Sequence, residues 1–277
     1  YVGASGLIST VITKSGTNNY SGSANYFFQN DNLVAANTHN PDNSFSSIDT
    51  AFTIGGPFLK NKAWGFGSWR YLKDTRDVNA QDTRAFLRTV DTIQKQGFAK
   101  ATFAPTHNDT ASVMFLNDPY ERSGTTDPTM PNSRDRKRVQ GGSNYSATYS
   151  RIWGSVLIDG AVNKHDAEIT DRAVFRTPLN TVAYQRQTTR TLADEQLGGF
   201  GQDFPETRPT LQAKGLLNYV WRGNRIKGGY EWAQHKDIRD LLYQPESDRS
   251  QYTSIANQYG AVPAGRSEEH TSELQSR

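Results

Sequence analysis

Alternation with a period of two runs through much of the chain. Between 211 and 221, Leu211, Ala213, Gly215, Leu217, Tyr219 and Trp221 share one side of an extended backbone, with Gln212, Lys214 and Asn218 and, less tidily, Leu216 and Val220 on the other. After Arg222-Gly223-Asn224-Arg225 the pattern resumes, with Ile226, Gly228, Tyr230 and Trp232 against Lys227, Gly229, Glu231 and Ala233. Successive side chains of a strand point to opposite faces, so this stretch predicts a hairpin with one apolar and one polar face. Tyr145, Ala147 and Tyr149 oppose Asn144, Ser146, Thr148 and Ser150 in the same way, and after a turn near Trp153-Gly154 come Val156, Ile158 and Val162 against Asp159 and Asn163. Further strands are expected over 22–29, 50–56, 63–72, 98–105 and 111–117.

The connections alternate in length. They are long at 31–48, 73–97, 118–143, 164–209 and beyond 243, and short at 57–62, 106–110, 152–155 and 222–225. In an up-and-down barrel, odd connections lie at one rim and even ones at the other, so short turns on one side of a membrane and long loops on the other produce this rhythm. A soluble sandwich has no reason to sort its loops in this way. Aromatic residues gather near the expected strand ends: Tyr26, Phe27 and Phe28; Trp64 and Phe66; Trp69 and Tyr71; Trp221; Tyr230 and Trp232. That is the place of a girdle at a membrane interface; aromatic filling of a sandwich core is the alternative.

Composition supports an all-β class, since 11% aromatic residues accompany 23 Gly while Met is limited to 2. The mean hydropathy of −0.74 and the lack of any apolar run near ~18 residues exclude a spanning helix. They do not exclude a barrel, whose strands alternate lipid-facing and lumen-facing residues. Lys and Arg (31) nearly balance Asp and Glu (28) and interleave with them, which argues against a nucleic-acid surface. Without cysteine there is no disulfide or thiolate chemistry.

The opening segment, Gly6-Leu7-Ile8-Ser9-Thr10-Val11-Ile12-Thr13-Lys14-Ser15-Gly16-Thr17-Asn18 followed by Tyr20-Ser21-Gly22-Ser23, resembles the junction of plug and barrel in TonB-dependent receptors, especially the Oar-like group. Tyr26-Phe27-Phe28-Gln29-Asn30-Asp31 resembles the first strand and loop entry of that family, Gly55-Gly56-Pro57-Phe58-Leu59-Lys60-Asn61-Lys62 its first periplasmic hairpin, and Trp64-Gly65-Phe66-Gly67-Ser68-Trp69 its third strand. Phe103-Ala104-Pro105-Thr106-His107-Asn108 and Gly228-Gly229-Tyr230-Glu231 resemble later hairpins, and the likeness spans about 1–240. The resemblance implies a partial antiparallel transmembrane β-barrel of about nine strands over 15–265, an up-and-down meander preceded by the end of a plug domain over 1–14. It also implies a place in the cell outer membrane and energy-coupled uptake of an unknown extracellular substrate. The implied partners are outer-membrane lipid and lipopolysaccharide, and the inner-membrane TonB complex through an N-terminal segment missing here. Tyr1 in place of Met fits an internal fragment. Arg266-Ser267-Glu268-Glu269-His270-Thr271-Ser272-Glu273-Leu274-Gln275-Ser276 resembles a translated sequencing adapter, so 266–277 are set aside as a non-native tail.

Catalytic chemistry is not advertised: GxSxG, HExxH, P-loop and metal-spaced His pairs are all absent from the sequence. His39, His107, His165, His235 and His270 are scattered and read as solvated loop or rim residues; His165-Asp166 with Glu168 has the composition of a metal site but no second ligand cluster. No catalytic, cofactor, metal or substrate-binding residue is assigned, no cofactor is expected, and the chain is not expected to be an enzyme. Arg134-Asp135-Arg136-Lys137-Arg138 reads as a solvated loop, with binding of lipopolysaccharide phosphates or an anionic substrate as the alternative. Asp118-Pro119-Tyr120-Glu121 and Gly198-Gly199-Phe200-Gly201 read as turn and loop chemistry. Two other functions compete with the importer: a soluble all-β ligand- or carbohydrate-binding module with a buried apolar face, and an outer-membrane barrel enzyme, which needs a convergent acid-base cluster at a rim.

Overall fold

The computed structural model describes residues 13–35, 44–81, 83–130, 132–174, 183–186, 195–198, 202–240, 242–243 and 270–271. Its principal strands are β1 (Ser21–Asn30), β2 (Phe45–Leu59), β3 (Ala63–Asn79), β4 (Phe86–Phe103), β5 (Asp109–Asn117), β6 (Tyr120–Ser123), β7 (Arg136–Trp153) and β8 (Val156–Ala173). A small separate hairpin, β9 (Ala183–Arg186) and β10 (Glu195–Gly198), precedes β11 (Gln202–Trp221) and β12 (Asn224–His235). Short pieces β13 (Ile238–Arg239), β14 (Leu242–Tyr243) and β15 (His270–Thr271) follow.

All pairing in the large sheet is antiparallel, each long strand lying beside its predecessor. β5 and β6 form one interrupted stave, both pairing with β4 on one side and β7 on the other. The interruption is Asp118-Pro119, which is a break within a strand and not the turn expected from sequence. Proline has no N–H to give to the ladder, and Asp118 bridges the gap, its N–H donating to Gly142 O and its carboxylate accepting from Gly142 N, both at 3.1 Å. β12, β13 and β14 likewise continue along the edge of β11. Among the described residues the result is a meander of nine staves, as the alternation predicts.

Every strand expected from sequence is present, but most are longer, and most of the growth is at the rim of the long connections. β3 runs to Asn79, β4 starts at Phe86, β7 starts at Arg136, β8 reaches Ala173 and β11 starts at Gln202. The long connections therefore shrink to 31–44, 80–85, 124–135 and 174–201, while the short ones are 60–62, 104–108, 154–155 and 222–223. Beyond the lipid no face of a strand meets hydrocarbon, so hydrophobic alternation fades while backbone pairing continues. The turn Arg222-Gly223 has φ of 47° and 82°, the doubly positive geometry of a type I′ hairpin that matches strand twist.

Register carries one face across the whole sheet. Ala101 lies beside Val113, Val113 beside Ala147, Ala147 beside Val162, Val162 beside Ala213 and Ala213 beside Trp232. The opposite face of the same strands carries Lys100, Met114, Ser146, Asn163, Gln212 and Ala233, again in register. Apolar side chains on the first face are exposed: Val113 58%, Leu217 45%, Trp232 43% and Tyr230 73%. Among the described residues the only buried hydrophobic ones are Val78, Val90 and Ala173, and no second sheet covers the apolar face. A two-layer sandwich would have buried these positions, so that reading does not hold for the described residues.

The apolar belt also climbs diagonally across the hydrogen-bonded rows. The row through Tyr26 continues through Thr50 and Tyr71 to Lys95, whereas at the other edge the apolar pair Tyr219 and Ile226 shares its row with Val156 and Trp153. A belt level with a membrane crosses rows in this way only if the strands tilt. One of the aromatic clusters departs from expectation. Trp69, Tyr71, Tyr230 and Trp232 belong to the belt, but Trp64 and Phe66 are on the polar face, where Phe66 meets Phe98 at 6.0 Å.

The entering segment lies against that polar face. Thr13 Oγ1 accepts a hydrogen bond from Lys100 Nζ at 3.1 Å, and Asn18 clamps the β2–β3 turn, its side chain donating to Asn61 Oδ1 (2.6 Å) and accepting from Asn61 N and Trp64 Nε1 (both 2.8 Å). Between them Gly16 passes so close to β3 that a Cβ there would meet Gly65 O at 2.2 Å. Such contact with rigid backbone tolerates no side chain. Gly16→Val is therefore expected to detach this segment at a cost of roughly 1–3 kcal/mol; faster proteolysis at 13–18 with an intact sheet is the readout, and unchanged protection refutes the contact.

Candidate functional site

The polar face becomes rich in arginine toward the rim of the long connections. Each of these side chains comes from a strand end whose hydrophobic alternation has faded: Arg88 from β4, Arg122 from β6, Arg136 and Arg138 from β7, Arg208 from β11 and Arg239 from β13. Asp171 of β8 and Glu206 of β11 supply the acidic counterparts.

Arg88 is 5% exposed and acts as the template of the 124–135 connection. Its Nη1 donates to the carbonyls of Thr125 (3.2 Å) and Asp127 (3.0 Å), its Nη2 to that of Met130, and its Nε to Asn132 Oδ1 at 3.1 Å. Asp135 Oδ1 stands 2.9 Å from the same Nε and is charge-paired with it. A guanidinium offers five N–H donors in a fixed plane, so one buried arginine satisfies several loop carbonyls at once. Burial pushes the Asp135 carboxyl above its ordinary value, with Arg88 and a backbone hydrogen bond at Thr125 opposing. Asn132 closes the loop by donating to Leu87 O at 2.5 Å.

A second cluster surrounds Asp171. Arg138 grips its carboxylate with two hydrogen bonds, Nε to Oδ1 at 2.8 Å and Nη2 to Oδ2 at 2.6 Å, and Arg136 Nη1 lies 3.5 Å from Oδ2. Burial alone would raise the pKa of Asp171, but the Arg138 hydrogen bond and the charges of Arg136, Arg138 and Arg122 hold it below the ordinary carboxylate value. Further along, Glu206 is 4% exposed, contacts Arg208 and has Arg239 Nε at 3.4 Å. On β2 and β3, Asp49 and Arg70 form a bidentate pair at 2.8 and 2.6 Å.

The run Arg134–Arg138 is therefore not the solvated loop expected from sequence. Asp135 is buried against Arg88, Arg136 and Arg138 belong to β7 and face Asp171, and Lys137 on the other face pairs with Glu121 at 2.7 Å. Pairing converts the run into an alternating strand, which a charge count does not reveal. Sequence reading missed Arg88 and Asp171, both inside stretches read as long connections. Their signal is a charged residue continuing the period of two beyond the apolar segment.

The histidines do not converge. His165 is on the polar face between Asn144 and Thr210, with Nδ1 lacking a hydrogen-bond partner, and His235 Nδ1 lies 3.2 Å from Thr210 Oγ1. His107 is exposed in a short connection, His270 is in β15, and His39 lies outside the described residues. No group of three or more His, Asp or Glu residues suited to a metal ion occurs among the described residues. Asp166 pairs with Lys164 at 2.7 Å, away from His165 on the opposite face. Of Gly198-Gly199-Phe200-Gly201, Gly198 ends β10 and the rest lie outside the described residues.

No curated protein matches the chain. Residues 12–140 match the model of a family described as an outer membrane beta barrel domain. That match covers the first staves, and the same register and belt continue unbroken through β12. An antiparallel meander with an exposed apolar belt, a charged inner face and this family match identify the chain as an outer-membrane β-barrel protein, seated in the cell outer membrane.

Proposed function

We propose that this barrel is the first part of a TonB-dependent receptor of the Oar-like group, which imports a solute across the outer membrane using energy transmitted by the inner-membrane TonB complex. The observation that carries the reading is the path of residues 13–18. Gly16, Asn18 and the Thr13–Lys100 contact hold residues 13–18 on the polar face, which is the lumen side in this reading. A plug domain preceding the barrel occupies that position. In this reading the long connections capture the solute, the belt faces lipid and lipopolysaccharide, the polar face takes no part in covalent catalysis, and nucleic acid is not a partner.

The test is the complete reading frame and its dependence on TonB. A signal peptide, a TonB-binding segment and a plug upstream of Tyr1, with solute uptake abolished in cells lacking TonB, are the expected results. A natural start near Tyr1, or uptake indifferent to TonB, overturns the importer reading while leaving the barrel intact.

A further inference from the structure

The cluster around Asp171 brings three arginines together on the polar face. Arg122 stands directly opposite Arg138, and Arg138 directly opposite Asp171, so two guanidiniums face each other on neighbouring strands with a third, Arg136, beside them. Like charges directly opposite in a sheet are unfavourable. Arg136 and Arg138 share the Asp171 carboxylate, and Arg138 already holds both of its oxygens. Among the described residues the Arg122 side chain makes no ion pair or hydrogen bond, and its Nε is shielded from solvent without a partner, although its charge still reaches Asp171. A buried donor without an acceptor costs free energy, and an anion placed against it would recover that cost. On the other face, Lys137 and Lys164 are paired with Glu121 and Asp166, both at 2.7 Å. Tyr120, in the neighbouring row, lies close enough to influence Arg138.

We infer that Arg122, Arg136 and Arg138 form a binding site for a multiply charged anionic group, phosphate or carboxylate, on a solute entering from the rim of the long connections. Guanidinium forks match the planar and tetrahedral oxygens of both groups, and two adjacent forks select for more than one negative charge. Asp171 orients Arg138 and leaves Arg122 as the recruiting donor. This substrate class rests on the proposal that the polar face lines a solute-carrying lumen.

Calorimetric titration of pyrophosphate, and separately of citrate, into the full chain folded in detergent micelles tests the site without requiring transport. Saturable binding of at least one anion is expected, weakened about tenfold or more by Arg122→Gln and left unchanged by Lys137→Gln on the outer face. The anion that binds assigns phosphate or carboxylate. A thermal readout guards against a structural role: without anion, Arg122→Gln is expected to unfold at a higher temperature than the parent, since it removes repulsion, and the binding anion is expected to raise only the parent's unfolding temperature. Failure of both anions to bind saturably, or equal weakening by both substitutions, overturns the site. Anion binding with TonB-independent uptake defeats the importer reading alone, and TonB-dependent uptake without anion binding defeats this inference alone.

Discussion

Arginine at Ala147 is expected to cost about 2–4 kcal/mol of folding into a bilayer, whereas arginine at the adjacent Ser146 is expected to cost close to nothing. Ala147 is exposed in the row Ala101–Val113–Ala147–Val162–Ala213, and Ser146 faces the other side beside Met114 and Asn163. The two positions share a strand, a depth and a small side chain, so only the face differs. On the belt side the guanidinium loses water and finds hydrocarbon; on the polar side it stays hydrated or meets polar neighbours. Denaturant unfolding from lipid vesicles measures both variants against the parent. Equal costs at the two positions, or a larger one at Ser146, would invert the assignment of faces and remove the membrane reading with it.

The second large effect is expected at Arg88. Arg88→Met leaves the Asp135 carboxylate buried without its counter-charge and strips donors from the carbonyls of Thr125, Asp127 and Met130. Removing one partner of a buried ion pair costs about 3–5 kcal/mol, and here the cost falls on the docking of 124–135. The staves remain paired, so limited proteolysis should cut within 124–135 while the sheet persists. The pH dependence has a definite sign. Burial already places the folded-state pKa of Asp135 above 3.8, so its ionised form opposes docking. Protonation relieves that opposition as pH falls through the raised value, and the relief is complete below 3.8. Without Arg88 the pKa is expected to rise further, so protection in the variant recovers at a higher pH than the parent's own transition. Adding Asp135→Leu removes the orphaned charge and should restore part of the protection, but not all, since the loop carbonyls still lack their donors. A loop equally protease-resistant in Arg88→Met and in the parent would show that Arg88 is not its template.

How much of this was legible from sequence depends on which side of the lipid boundary a residue lies. Within the belt, alternation of Leu211 to Trp221 and of Tyr145 to Tyr149 states both the strand and its faces, because lipid on one side and a wet interior on the other impose a period of two. The two-residue turn at Arg222-Gly223 was visible as a four-residue connection because Asn224 and Arg225 are polar strand residues, whose apolar partners Trp221 and Val220 are set by pairing and not by local pattern. Above the belt the signal vanishes. Lys73 to Asn79, Phe86 to Gly97 and Lys164 to Ala173 read as loops because few apolar residues mark either face, and Val78, Val90 and Ala173 are too isolated to set a period, yet their backbones continue the ladder. The candidate site lies wholly in that region, which is why Arg122, Arg138 and Asp171, scattered over about fifty residues of chain, gave no motif.

The amino-acid sequence alone determined that the chain is a series of strands, which residues of each belt segment share a face, and that its connections sort by length. Those properties follow from local chemistry: side-chain alternation, turn residues and the need to hide apolar groups from water. Only the tertiary structure decided the register, and register decided the rest. It set the diagonal course of the belt, separated Trp64 and Phe66 from the aromatic girdle, laid Gly16 against Gly65, and stacked three arginines around one carboxylate. Pairing depends on hydrogen bonds between residues far apart in the chain, and no local pattern states which row of one strand meets which row of the next.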